Sequence, residues 1–353
     1  MKDYIFILGR DPELSMLEIQ SYFKARSIPF RIMEHTKQAA IISTDIEPKK
    51  AIRDLGGVQK IAEVCNLEEE ELYAGSSNKI KYAISCYEGS GKEVNEYLKT
   101  RFKEEKLKAA LKHSSRKTPF LMPSESLAVD LEIIIFREHV GIRVAVFNPK
   151  EYEKRDKSRQ RPLHTISIRL AKILINLSGA KEGDTLLDPF CGIGVILMEA
   201  KLMGINSIGI DKDKNCIFSA RKNIKGDANL IPGDSRNLSR LIKTADTCAT
   251  EPYLGPFLKK IPMEKEARKI AAELTPIYSA VMREIAKAVK GSTAIIIPRF
   301  RLYSGKRVTI DFERIIKGAG LKKEEIDPTI KLPIIYNAGS SNIEREIWVV
   351  KKA

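Results

Sequence analysis

Apolar and polar positions follow two different rhythms along this chain, and the change between them falls near residue 163. Residues 4–9 (YIFILG) read as a short buried strand. The next stretch, ELSMLEIQSYFKARS, puts Leu14, Leu17, Ile19, Tyr22 and Phe23 roughly on one face and predicts an amphipathic helix. Strands are expected at 29–33 and 38–43, and a short helix over 48–56 that stops at Gly56-Gly57. A second unit runs from about 58 to 148. It starts with strand KYAISCY (81–87) and the turn EGSG, and a strongly charged helix follows from about 92 to 112. Residues 126–148 then form a hairpin with its turn near His139–Gly141. The polar, proline-bounded stretch 149–162 reads as an interdomain linker.

From Leu163 onward strands alternate with helices. A helix over about 165–178 precedes strand DTLLDPF, helix GVILMEAKLMG, strand INSIGIDKD, helix NCIFSARKNI and a strand ending in IPGDS. ADTCATEPY, a long helix from about 263 to 290, strand TAIIIPRF, a helix over 311–319 and a final hairpin ending in EREIWVVKK complete the pattern. Alternation of this kind predicts an α/β domain, a doubly wound parallel sheet with an antiparallel edge hairpin, over 163–353. Residues 1–57 and 58–148 are expected to be smaller α+β units.

Composition narrows the functional classes. At 353 residues two or three domains are expected. No apolar run reaches the roughly 20 residues that span a bilayer, and the start MKDYIFILGRDPELSM reads as a strand, not a signal peptide, so a cytoplasmic protein is expected. The five cysteines (65, 86, 191, 216 and 248) form no Cys-x-x-Cys pair, and the histidines at 35, 113, 139 and 164 lack ligand spacing. Metal chemistry is therefore not expected. The net charge of +15 favours polyanionic partners through phosphate contacts. Residues 99–117 concentrate it, with eight Lys or Arg against two Glu.

The sharpest chemical signal is LLDPFCGIGVILMEA, residues 186–200. A strand stops at Asp188, and a loop with Gly192 and Gly194 opens a helix, at the end of the sheet where such folds bind ligands. A dinucleotide loop would carry Gly or Ala three positions after Gly194, where Leu197 stands, and an acid at Asp188 suits a pyrophosphate poorly. It suits the ammonium of a methionyl group. Asp211 ends the next strand 23 residues later, placed for ribose hydroxyls, and Asp234 ends the third strand, another 23 residues on, placed for an adenine amine. S-adenosylmethionine (AdoMet) fits this series better than NAD. Helix capping accounts for each Asp singly, but not for the three together.

At the fourth strand end stands Thr250-Glu251-Pro252-Tyr253. Enzymes that methylate exocyclic base nitrogens carry an acid, amide or Ser here, followed by Pro-Pro and an aromatic. Oxygen acceptors localise the amine lone pair, proline fixes the backbone, and the ring stacks on an extruded base. Here Thr250 and Glu251 depart from that pattern, and Tyr253 keeps the stacking position. Arg161, Pro162 and His164 precede the helix expected near the cofactor, and PRFRLYSGKR (298–307) mixes basic and aromatic residues at another strand end.

At these residues the chain resembles the THUMP-domain RNA methyltransferases, especially the group that methylates N2 of guanosine 10 in tRNA. The opening YIFILGRDPELSMLEIQSYF, the segment EYEKRDKSRQRPLHTISIRLAKILINLS and the loop DPFCGIGVILME carry the resemblance, with Ile193 where Ser or Thr is usual. It implies a ferredoxin-like unit over 1–57, a THUMP RNA-binding domain over 58–148, and a Rossmann-like class I AdoMet methyltransferase domain over 163–353. It also implies AdoMet held by Asp188, Gly192, Gly194, Asp211 and Asp234, a base pocket at Thr250, Glu251, Pro252 and Tyr253, and a tRNA partner; His164, Pro189, Cys191, Lys212 and Ser235 are expected beside the same cofactor. The same chemistry on ribosomal RNA, a non-catalytic RNA binder with a degenerate pocket and an NAD-linked enzyme are the alternatives. A monomer is expected.

Overall fold

A computed structural model describes residues 1–73, 75, 77–157, 165–224, 228–336 and 342–353. The chain divides into two compact units, one of residues 1–16 and 27–159, the other of 17–26 and 160–353. The first contains β1 (Lys2–Leu8), the start of α1 (Pro12–Ala25), β2 (Phe30–His35), β3 (Ala39–Thr44), α2 (Pro48–Asp54) and β4 (Val58–Val64). It continues through β5 (Lys79–Glu88), α3 (Lys92–Glu104), β6 (Lys108–Leu111), α4 (Pro123–Ser126), β7 (Leu131–Phe136), β8 (His139–Val146) and α5 (Pro149–Lys157). All eight strands join one sheet in the order β2-β3-β1-β4-β8-β7-β5-β6. The sheet runs unbroken across residue 57, because β4 pairs antiparallel with β1 from Tyr4↔Glu63 to Leu8↔Val58.

Three elements differ from the sequence reading, each for a local reason. The charged helix stops at Glu104, not near 112. Lys106 takes a left-handed φ of 57°, and 108–111 then join β5 as a parallel edge strand whose solvent exposure accommodates the same polar composition. The hairpin turns at Arg137-Glu138, with Arg137 at φ 56°, and not at His139–Gly141. Gly141 marks a close approach instead: a Cβ there would lie 2.7 Å from the Glu63 carbonyl on β4. Residues 149–157, read as linker, form helix α5.

The second unit holds α6 (Ile168–Leu177), β9 (Thr185–Asp188), α7 (Val195–Leu202), β10 (Asn206–Asp211), α8 (Lys214–Asn223), β11 (Asn229–Pro232), α9 (Leu238–Leu241) and β12 (Thr247–Thr250). Then follow α10 (Glu264–Ala288), β13 (Thr293–Arg301), β14 (Arg307–Thr309), α11 (Phe312–Gly318), β15 (Leu321–Lys323), β16 (Ile334–Tyr336) and β17 (Ile343–Lys352). The sheet order is β11-β10-β9-β12-β13-β17-β15, with β14 on β13 and β16 on β17. Strands β9 to β13 are parallel, while β17 runs antiparallel between β13 and β15. This is the expected doubly wound sheet, except that the C-terminal strand is inserted one place in from the edge. Its strands are near-continuous apolar runs because both faces are covered. One cluster packs Leu274, Tyr278, Met282, Phe312 and Trp348 against β12 and β13, and another packs Leu197, Ile217, Ala220 and Ile224 near the start of α7. No helix among the described residues is long and apolar enough to cross a membrane.

Candidate active site

The direction of strand succession reverses between β9 and β12, and ligands bind in sheets of this kind beyond the carboxyl ends of the strands at that reversal. Asp188, Asp211, Asp234 and Thr250 all lie at or just past such ends. The loops carrying them are bonded together. The Cys191 amide donates to the Ile210 carbonyl at 2.9 Å, the Gly192 amide to Asp211 Oδ2 at 2.9 Å and the Gly233 amide to the Asp211 carbonyl at 3.0 Å. Ser235 Oγ donates to the Pro189 carbonyl.

Asp188 is the central group. Its side chain is buried, and it accepts from Thr250 Oγ1 at 2.7 Å and from the Phe190 amide at 3.1 Å. Both partners are neutral, so burial dominates and pushes the carboxyl up to about 7, although those two hydrogen bonds oppose the shift. The nearby charges of Asp211 and Glu251 raise it further. A buried carboxyl with neutral partners at a strand end can receive a cation.

The glycine loop has the shape the sequence called for. Gly192 adopts φ 51° and Gly194 φ 85°, a region costly for a residue with a Cβ. Gly194 caps α7, and a Cβ on it would also lie 2.9 Å from Ile224 Cδ1. Asp211 keeps both oxygens engaged with backbone amides, Gly192 on one and Asp213 on the other, which fixes the carboxylate while leaving each oxygen a second lone pair for a diol. This donor set fits AdoMet: an ammonium for Asp188 and ribose hydroxyls for Asp211.

Other expected site residues take different places. Asp234 binds Arg236 through both oxygens, an ion pair that holds its carboxylate below the usual range, so an adenine amine would meet a carboxylate already engaged. Ser235 and Pro189 are buried and bonded to each other, Cys191 is buried against α8, and Lys212 is exposed. His164, with Arg161 and Pro162, lies outside the described residues. Thr250 is buried and gives its hydroxyl to Asp188. Glu251 is paired with Arg345 of β17 at 2.5 Å, and Tyr278 of α10 donates its hydroxyl to the Tyr253 carbonyl at 3.1 Å. Pro252 is buried, while the Tyr253 ring is 55% exposed. Sequence reasoning missed Arg345, Tyr278 and Arg236. The first two sit in a strand and a helix far along the chain, where nothing local marks them.

A group that brings potential ligand atoms of Glu34, Glu138 and His139 within 4.8 Å of one another occurs in the first unit, and there Arg137 already binds Glu34.

Residues 155–299 match the family model described as RMKL-like, methyltransferase domain, and residues 64–222 match one described as DNA methylase. The chain is 27% identical over 275 residues to a tRNA (guanine(10)-N2)-dimethyltransferase of Methanothermobacter thermautotrophicus, a match spanning 72% of this chain and 78% of that protein. It is 24% identical over 317 residues to a tRNA (guanine(10)-N2)-dimethyltransferase of Pyrococcus abyssi, spanning 84% and 88%. Among solved structures, TrmN from Thermus thermophilus is similar with a TM-score of 0.53 at 14% identity, over 99% of this chain and 100% of that one. That likeness shows a shared fold.

Proposed function

We propose that this chain, whose residues 155–299 match an RMKL-like methyltransferase domain, methylates N2 of a guanine in tRNA, at position 10, with AdoMet as donor. The observation that carries the reading is Asp188, a buried carboxyl with neutral partners beside a turn that presents an exposed aromatic ring. When bound, AdoMet supplies an electrophilic methyl group on a sulfonium. The rest falls to the chain. Asp188 orients the ammonium, and Asp211 holds the ribose. Tyr253 stacks on the extruded guanine. The Thr250 hydroxyl is committed to Asp188 and the Glu251 carboxylate to Arg345, so acceptance from the target amine falls to backbone carbonyls of the 250–252 turn. Those carbonyls need a fixed turn. Three side-chain contacts hold it, namely Thr250 with Asp188, Glu251 with Arg345 and Tyr278 with the Tyr253 carbonyl.

We read residues 58–148 as the RNA-binding THUMP region and the basic stretch 99–117 as its phosphate-facing part, in a cytoplasmic enzyme. The relatives' names support the tRNA substrate. Incubation with tritiated AdoMet and total RNA, separation of tRNA from ribosomal RNA by size, and mass spectrometry of nucleosides and of nuclease-cut tRNA fragments test this. Label in N2-methylguanosine or N2,N2-dimethylguanosine is expected at position 10. Label confined to ribosomal RNA, to another base, or absent would reject it.

A further inference from the structure

Beyond the methyl-transfer centre, the same end of the second unit carries large apolar side chains that are exposed. Tyr253 is 55% exposed, Phe257 56%, Met263 75% and Tyr303 73%. Their segments are neighbours. Strands β12 and β13 are parallel with Thr250 opposite Ile295, so the chain leaves β12 at Thr250 and passes Tyr253 beside the part of β13 that runs on to Arg301, where a Cβ on Gly255 would lie 3.6 Å from Phe300. Tyr303 sits in the β13–β14 connection, where the Leu302 amide closes the loop on the Lys306 carbonyl at 3.1 Å. Asn342 ties the two segments together: its side-chain amide donates to the Leu258 carbonyl at 3.0 Å, and its own carbonyl accepts from the Arg301 amide at 3.4 Å. Lys306 in turn lies within electrostatic reach of Glu264 at the start of α10.

Basic residues are interleaved with the rings. Lys259, Lys260 and Lys306 are exposed, and none has an ion-pair partner within 4.0 Å among the described residues. Exposed aromatic rings with unpaired lysines between them are what an unpaired nucleic-acid strand needs. Every base offers a face to stack, and every phosphate offers a charge. A duplex offers neither stacking face along its length.

We propose that Tyr303 is a stacking platform for a nucleotide next to the target, that Lys259, Lys260 and Lys306 hold the connecting phosphates, and that this rim therefore receives an unpaired RNA segment. The proposal rests on the reading of Tyr253 as the target-base platform, and it extends that reading from one nucleotide to several. It implies that a paired target must be opened over more than a single base before transfer.

The test uses the full chain and a 12-nucleotide single-stranded RNA carrying 2-aminopurine next to a guanine, with the matching duplexes of RNA and DNA as competitors. Wild type should bind the single strand, and the duplexes should compete poorly. Tyr303→Ala should weaken binding about five- to a hundredfold, the size of one lost base stack. Tyr303→Phe should stay within about twofold, because the ring remains. Lys306→Gln should lower the salt dependence by about one counterion. AdoMet affinity of these variants should match wild type. Unchanged RNA affinity in Tyr303→Ala, equal loss in Tyr303→Phe, or better competition by duplex DNA overturns the proposal. Methyl transfer to tRNA by wild type is scored separately. If transfer occurs and the ring variants bind normally, the rim fails alone. If transfer is absent, the tRNA reading fails, and the binding series still decides the rim.

Discussion

The protonation state of Asp188 sets a pH dependence that can be worked from the structure. Its carboxyl titrates at about 7 because it is buried with only a hydroxyl and an amide for partners. An ammonium bound beside it requires the ionised form. At pH 8 roughly nine sites in ten are ready, and at pH 6 only about one in ten, so AdoMet affinity should fall roughly tenfold over that interval. Binding at pH 7 should release about half a proton, measurable by calorimetry in buffers of different ionisation enthalpy. The fold responds in the opposite sense. The native pKa lies above the ordinary value of 3.8, so this group favours the folded state fully below that value and loses its contribution as pH rises to about 7. The loss is roughly 4 kcal/mol. Asp188→Asn should bind AdoMet weakly with no slope across pH 6–8, and without ligand it should melt above wild type at pH 8. A flat affinity profile for wild type, or the same slope in Asp188→Asn, refutes the assignment.

Gly194→Ala should cost about 1–3 kcal/mol, because φ 85° disfavours a Cβ and Ile224 stands in its way; calorimetric melting reads this, and an unchanged Tm would contradict it. Arg345→Met should lower kcat about ten- to a hundredfold by releasing the 250–253 turn, with AdoMet affinity nearly unchanged. The charge swap Glu251→Arg with Arg345→Glu should recover part of that loss, and equal loss of AdoMet binding in Arg345→Met would assign Arg345 to the cofactor site instead. In the first unit, Lys60 and Glu132 are fully buried together, with Ser85 Oγ 2.6 Å from Glu132 and the Leu121 carbonyl 2.7 Å from Lys60. Glu132→Ala should destabilise that unit by about 3–5 kcal/mol in urea unfolding, since it strands a buried ammonium; a loss below about 1 kcal/mol would show that water reaches the pair.

The sequence made the second unit legible because its strands are unbroken apolar runs that end on acids, and both features are local. Asp188, Gly194 and Asp211 sit where that pattern put them. The same locality explains the misreadings. Gly141 looks like a turn residue, yet its missing side chain is spent on the approach of β4, a strand about eighty residues away in sequence. The charges of 99–112 have helical spacing, but an exposed edge strand tolerates them equally, and only the pairing of β6 with β5 decides. Thr250 and Glu251 looked like altered base-binding groups because their partners, Asp188 and Arg345, become visible only when β9 and β17 are in place. In the sequence Asp234 stands open to adenine, whereas the fold pairs it with Arg236, two residues away.

The proposed function depends on Asp188 and Asp211 holding AdoMet at the carboxyl end of the sheet, next to Tyr253. A crystal structure of the full chain with S-adenosylhomocysteine tests it most directly. The ligand's ammonium is expected within hydrogen-bond distance of Asp188, its ribose hydroxyls on Asp211 and its sulfur facing the turn at 250–253. A ligand seated elsewhere, or one whose ammonium contacts no group at Asp188, would contradict it.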